Sequence, residues 1–320
     1  MILNLEQVNQ LIERQLRDWS TVSNNYAALH RVQLRDFNLN EHSHIVLQFN
    51  PERRRSSGAR IDAASIAARK CFLCSENQPV EQEAIEWGGR YKIQVNPYPI
   101  FPRHLTISAL NHMPQAMEGR IDHMLSLAAQ LPDFVLFYNG PRCGHSAPDH
   151  MPFPAGNKGF MPLCDELRNP ALHFDQLDRL DLPDGTCRYT SELGRRLFLI
   201  TSASAEVAAH CYRLLLDAMG QAMEPGSHDE PMHNILCWHD ARLHRMVVFP
   251  RAKHRPSCYG DGDGKLLVSP ASVDLGGVWA IAVESDFNSI TREQVQSIYD
   301  ELCIDEALAT KIKQIFKVIL

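Results

Sequence analysis

The sequence predicts an α+β protein with an internal duplication, each half an antiparallel set of strands flanked by helices. Three observations lead there. The chain has 320 residues, too many for one small core and suited to two domains or one duplicated unit. Runs with strand alternation are interspersed with runs of helical spacing. The same grammar of strand, helix and strand pair returns loosely in the second half, which sets the expected division at residues 1–195 and 196–320. With 44% hydrophobic and 22% charged residues, the composition is that of a globular protein able to bury a sizeable core.

Leu3, Leu5, Val8, Leu11, Ile12 and Leu16 recur at helical spacing, and the first forty residues read as helix turning towards strand. His44–Phe49 is a short extended run, followed by an arginine-rich loop over residues 50–58 punctuated by Pro51 and Gly58. Residues 91–96 and 104–109 alternate like strands around a turn holding Pro97, Pro99 and Pro102. Residues 117–131 have helical periodicity, and residues 133–138 form a buried-strand candidate. The stretch 139–159, rich in Gly, Pro, Asn and His, reads as a functional loop running into a strand. In the second half, a strand at 197–201 precedes a helix at 205–219, and strands at 234–238 and 245–249 form a hairpin around Asp240-Ala241-Arg242. Thr291 and Gln294 supply a capping box for a helix reaching Leu302, and a last amphipathic helix runs from Asp305.

Charge and cysteine usage exclude several functions. A net charge of −6 and a pI near 6.2 argue against a nucleic-acid binder, which needs a broad basic face. A few cations can still line a pocket for a small phosphorylated ligand. No segment has the apolar length to cross a bilayer, and the N-terminal run is interrupted by acidic and amide residues, unlike a signal peptide. Nine scattered cysteines, an odd number, imply reduced thiols and a cytoplasmic setting.

Cys71-x-x-Cys74 places two thiolates within reach of one ion, with Phe72-Leu73 between them. By itself the pair fits two core cysteines as well as half of a zinc site. His112 ends the run 103–112 (RHLTISALNH), just past a strand, and His150 stands just before another. Two thiolates and two imidazoles complete tetrahedral zinc without water, which makes such a site structural. His145, in the same loop as His150, is a rival fourth ligand.

The run 103–112 resembles the histidine-triad pattern of strand, short turn and histidine, and residues 137–150 (FYNGPRCGHSAPDH) resemble the phosphate loop of diadenosine tetraphosphate phosphorylases and GDP-galactose phosphorylases. More distantly the chain is similar to galactose-1-phosphate uridylyltransferase. The resemblance implies duplicated histidine-triad-like halves. It also implies a structural zinc on a CxxC pair, a histidine after the second strand and the first histidine of an HxHxQ motif. Cys71, Cys74, His112 and His150 fall on those positions. In such proteins the middle histidine of HxHxQ attacks the α-phosphate, because neutral imidazole is nucleophilic near neutral pH and a covalent intermediate splits one displacement into two.

Here the motif reads HMPFPAG from His150, so Pro152 stands at the nucleophile and Pro154 at the glutamine. Proline offers neither a nucleophile nor a side-chain donor. It also lacks the N–H of a central strand, so the segment reads as an edge strand or no strand. The implied function is nucleotide binding on a nucleotidyltransferase or phosphorylase scaffold without the transfer step. The alternative is an active transferase or phosphorylase on a nucleoside diphosphate sugar or dinucleoside polyphosphate, using another nucleophile.

Asn139, Gly144 and Ser146 lie in the loop before the histidine motif, where small residues let backbone N–H groups approach phosphate. Asn96 resembles the asparagine of an N-x-[FY]-P segment. Arg53, heading a run with Arg54, Arg55, Ser56 and Ser57, can grip phosphate through paired hydrogen bonds, and Lys158 is a second candidate cation. His239, His244 and His254 read as surface residues of the C-terminal hairpin. The implied ligand is a nucleotide or nucleotide sugar, and the resemblance implies a homodimer by analogy.

Overall fold

Tyr91, Ile93 and Val95, then Leu105, Ile107 and Ala109, then Phe134, Leu136 and Tyr138 alternate along three segments, and all of them enter one core. A period of two places them on a single face of a sheet. The computed structural model describes residues 3–53, 62–144, 147–177, 185–223, 230–262 and 264–320. Its strands are β1 (Gln33–Asn38), β2 (His44–Phe49), β3 (Ile85–Trp87), β4 (Tyr91–Val95), β5 (His104–Ala109), β6 (Phe134–Asn139) and β7 (Pro152–Asn157). They continue with β8 (Asp175–Gln176), β9 (Gly185–Thr190), β10 (Leu197–Ser202), β11 (His233–Asp240), β12 (Leu243–Pro250) and β13 (Val278–Ile281).

Ten of these form one sheet in the order β3-β4-β5-β7-β6-β11-β12-β10-β9-β8. The order shows the duplication. β4, β5, a helix over Ile121–Gln130, β6 and β7 make the first half. β9, β10, a helix over Ala205–Ala222, β11 and β12 repeat the pattern. The halves join where β6 pairs antiparallel with β11, from Asn139↔Asn234 to Leu136↔Cys237. The outermost strands, β3 and β8, are three and two residues long, which leaves little unpaired backbone at either edge.

The Leu5–Asp18, Ile121–Gln130, Ala205–Ala222 and Glu306–Ile319 helices contribute buried residues to the core on one sheet face. On the opposite face Val135, Phe137, Leu199, Leu236 and Val247 share a second core with Ile45, Leu47 and Trp279 of the small sheet β1-β2-β13, and with Tyr299 and Leu302 of the Arg292–Leu302 helix. That helix begins with the expected Thr291–Gln294 capping box. The N-terminal region is helical only to Leu29, because Gln33–Asn38 pairs with β2 instead.

The proline-bearing segment is not an edge. β7 lies inside the sheet, between β5 and β6. Its odd-numbered residues bond to β5: the Met151 carbonyl accepts from Ala109 N–H at 2.9 Å, and Asn157 N–H donates to the Arg103 carbonyl at 3.1 Å. The even-numbered positions therefore face β6, whose pairing with β7 ends at Leu136↔Ala155. Pro154 and Pro152 lie past that end, where β6 continues with β11 alone, so their missing N–H groups break no ladder bond. The strand is interior on one side and edge-like on the other.

The β11–β12 hairpin closes through Ala241 (φ 45) and Arg242 (φ 69), both in the left-handed region. Only such a turn matches the strand twist, and Asn-Gly suits it far better than Ala-Arg. Ala241→Asn with Arg242→Gly is therefore expected to stabilise the chain by about 1–2 kcal/mol, read from the midpoint of urea unfolding.

Candidate functional site

Met151, Phe153 and Ala155 of β7 enter the helix-side core, so Pro152, Pro154 and Gly156 occupy the other face. Register then aligns Lys92, Ser108 and Pro152 in one row across β4, β5 and β7, with Gln94, Thr106 and Pro154 in the next. This face is polar and largely enclosed: Lys92, Gln94 and Ser108 are all buried, and Ser108 Oγ has no hydrogen-bond partner among the described residues.

At one end of these rows the four cysteine and histidine residues converge. The ligand atoms of Cys71, Cys74, His112 and His150 lie within 4.8 Å of one another. Sγ of Cys71 is 3.3 Å from His150 Nδ1, and Sγ of Cys74 is 3.3 Å from His112 Nδ1 and 3.5 Å from His150 Nδ1. Tetrahedral zinc with ordinary bond lengths separates sulfur from nitrogen by about 3.5 Å, so the set fits a metal ion. Cys74 and His150 are buried, Cys71 is half-buried and His112 is exposed. His150 Nε2 donates to the Ala109 carbonyl at 2.8 Å, which fixes the tautomer and leaves Nδ1 as a lone-pair donor to a metal.

The electrostatics favour a thiolate. Burial pushes the Cys71 thiol up, but His150 and the backbone N–H groups of Leu73 and Cys74 outweigh it and bring it down to about 6. Burial, with Cys71 beside it, pushes the Cys74 thiol up to about 11. A bound metal ion would hold both sulfurs deprotonated.

Several residues fasten the CxxC segment to the sheet. The Lys92 ammonium donates to Ser75 Oγ at 2.8 Å and Gln78 Oε1 at 2.7 Å, while Gln78 and Gln94 exchange hydrogen bonds at 3.0 Å. Arg69 pairs with Asp149 at 2.6 Å, tying the approach to Cys71 to the residue before His150. Burial lowers the Lys92 pKa, partly offset by Cys74 and Cys71. Lys92→Met is therefore expected to weaken metal binding roughly 10–100-fold while leaving the fold intact, measured by competition with a chromophoric chelator. Neither Lys92 nor Gln78 gives a local sequence signal. Only the register that sets Lys92 beside the loop reveals it.

The remaining candidates separate into two groups and an outlier. Asn96 and Arg53 meet at the proline turn: Asn96 Oδ1 accepts from Tyr98 N–H at 2.9 Å, its Nδ2 donates to Thr106 Oγ1 at 3.1 Å, and Arg53 donates to the Tyr98 carbonyl at 2.9 Å. Burial lowers Arg53 to about 10, and burial likewise raises Asp274, a charge neighbour of Arg53, to about 6. Asn139 and Gly144 lie in the loop after β6. Asn139 Oδ1 accepts from Asn234 Nδ2 and from Ser272 N–H, both at 2.8 Å, so this amide braces the seam between the halves. Gly144 has φ +84 and a Cβ there would stand 2.8 Å from the Pro270 carbonyl, so close packing alone requires glycine. Lys158 stands past the far end of β7, about 25 Å of strand from His150, and donates to the His239 carbonyl at 2.7 Å. Ser146 and His145 lie outside the described residues, as do Arg54, Arg55, Ser56 and Ser57.

Of the hairpin histidines read as surface residues, His244 is buried, whereas His239 and His254 are half-buried. His244 is buried against His239, with ring centroids 4.8 Å apart, and both ring nitrogens of His254 are buried. Sequence adjacency to a turn is a poor guide to what packs on it.

A family model described as a domain of unknown function, DUF4922, matches residues 11–157, which include all four cysteine and histidine positions and the whole of β7. A search of curated proteins gave no match. Among solved structures, the yeast Ap4A phosphorylase Apa2 in complex with Ap4A is 16% identical, with a TM-score of 0.64 over 95% of this chain and 99% of that chain. The same yeast enzyme in complex with AMP is 17% identical, with a TM-score of 0.61 over 94% and 97%. The chain thus carries, over nearly its whole length, the fold of an Ap4A phosphorylase.

Proposed function

We propose that this chain binds a nucleotide or nucleotide sugar on a nucleotidyltransferase or phosphorylase scaffold and lacks the covalent transfer step. The observation that carries the reading is Pro152 on β7, two residues beyond the metal-site histidine and on the polar sheet face. A pyrrolidine ring there can neither attack phosphorus nor donate a hydrogen bond. The imidazole that this face does hold, His104, is buried, and its Nδ1 accepts from Ile100 N–H at 3.1 Å. Burial, with Arg53 nearby, holds His104 well below the ordinary histidine range. It is neutral but committed.

Cys71, Cys74, His112 and His150 would hold the metal as a structural zinc: no position remains for water, and the ion would clamp the CxxC segment over the polar face. Arg53 and Asn96 at the proline turn, with Asn139, Gly144 and Ser146 in the loop after β6, would contact the ligand, and Lys158 would remain a support of the hairpin. A cytoplasmic homodimer is part of the same reading.

The test is calorimetric titration of the purified protein with AMP, ADP, Ap4A and a panel of nucleotide sugars, with intact mass and product assays on the same samples. Saturable binding without adduct or turnover is expected. A nucleotidyl adduct or turnover in the unaltered protein would replace this reading with an active transferase using another nucleophile. Absence of binding across the panel would end it.

A further inference from the structure

Of the nine cysteines, seven are buried, and Cys71 and Cys258 are half-buried. A sulfur that a hydroperoxide attacks must be reachable and ionised, and a metal ion keeps the sulfurs it binds as thiolates. Cys71 has a second sulfur beside it, since its ligand atom and that of Cys74 lie within 4.8 Å of each other. The two residues close one tight turn, in which Cys74 N–H donates to the Cys71 carbonyl at 3.3 Å. Such a turn keeps the Cα atoms of its ends within about 7 Å, close to the roughly 4.4–6.8 Å that a disulfide spans. A bond between the two sulfurs is therefore local to the turn and asks no movement of β5 or β7.

The four ligands differ in how deeply they are set. His150 is wholly buried, with its Nε2 bonded to the Ala109 carbonyl, and Cys74 is 8% exposed. His112 is exposed and Cys71 half-buried. Phe72, between the two cysteines, is 48% exposed, and the Arg69 guanidinium stands 5.5 Å from its ring centre. An ion in this site would be gripped from inside by Cys74 and His150 and covered on the solvent side by Cys71 and His112. Solvent thus meets the cluster at a sulfur that can react first, with a sheltered sulfur next to it that can resolve the product.

We propose that the CxxC turn is a redox-sensitive clasp, in which a hydroperoxide joins Cys71 to Cys74 and the site gives up its ion. The Cys71 thiolate attacks one peroxide oxygen, the O–O bond breaks, and the other oxygen leaves with the electron pair and takes up a proton. The Cys74 thiolate then attacks the Cys71 sulfenic acid, the S–O bond breaks, and hydroxide leaves and is protonated to water. The two sulfurs lose two electrons between them, and the peroxide gains both. Two imidazoles remain, half the ligand set that structural zinc requires. The proposal rests on the structural-zinc reading above and adds its regulation: oxidation loosens the CxxC segment over the polar face, with Ser75 and Gln78 still tied to Lys92 and Gln94.

The test treats the zinc-loaded full chain with hydrogen peroxide, while a chromophoric chelator reports free zinc and intact mass is read on the same samples. One equivalent of zinc is expected to be released as the polypeptide loses the mass of two hydrogens, and a dithiol with added zinc restores the starting state. Peptide mapping is expected to place the bond between Cys71 and Cys74, and amide hydrogen exchange over residues 71–78 to speed up about tenfold or more. Cys258→Ser removes the other half-buried thiol and is expected to respond as the unaltered chain does. Zinc retained under peroxide, zinc lost without a Cys71–Cys74 bond, unchanged exchange after oxidation, or a response abolished in Cys258→Ser overturns the clasp. Failure of the metal reading is distinguishable: the untreated chain would then bind no zinc, which ends the clasp with it, whereas zinc that is bound but survives peroxide ends the clasp alone.

Discussion

Pro152→His combined with Pro154→Gln is expected to convert a non-reacting protein into one that forms a nucleotidyl adduct, at a rate roughly 10³-fold or more above the unaltered chain. The introduced imidazole nitrogen would attack the α-phosphorus, the bond to the leaving phosphoryl oxygen would break, and the protein would gain the mass of the nucleotidyl group. An acceptor phosphate would then remove it. The backbone permits the change. Both prolines lie where β6 has left β7, so the restored N–H groups meet no opposing strand and need no register shift. Intact mass after incubation with Ap4A or a nucleotide sugar decides the matter. An adduct in the variant alone places the missing chemistry at Pro152. No adduct in a folded variant that still binds nucleotide would show that this row of the sheet is not where phosphorus sits.

Loss of the metal is the second large effect. Cys74→Ser is expected to abolish stoichiometric zinc and to destabilise the chain by at least about 3 kcal/mol, a fraction of the roughly 10–16 kcal/mol that structural zinc contributes to small domains. With an unfolding entropy of about 2.1 cal/mol/K per residue, that shift corresponds to roughly 4–5 °C or more in melting temperature. Cys74 is the substitution of choice because its sulfur stands within 3.5 Å of both imidazoles. Elemental analysis and thermal melts with and without a strong chelator provide the readout. A metal-free protein with an unchanged melting temperature would mean that the four side chains merely pack together.

The grouping of Cys71, Cys74, His112 and His150 was legible in the sequence because chelation demands scarce residue types, and the strand at 104–109 and the buried-strand candidate at 133–138 place His112 and the loop to His150 at strand ends. The internal duplication was legible as repeated grammar. The interior placement of β7 was not, because the rule against proline in central strands assumes bonding on both sides, and the fork between β6 and β7 is a tertiary event. β13 pairs in parallel with β2 from more than two hundred residues away, and no local pattern announces such a partner.

The seam between β6 and β11 has a consequence for anyone who would cut this molecule in two. Because the halves share one continuous sheet, separating them would bare two apolar strands, and Asn139 and Asn234 would lose each other's hydrogen bond. Each fragment would carry an unpaired apolar edge of the sort that pairs with any available strand, including its own copies. Halves expressed separately should therefore collect as aggregates. Made together in one cell, they should instead find each other and reassemble along that edge.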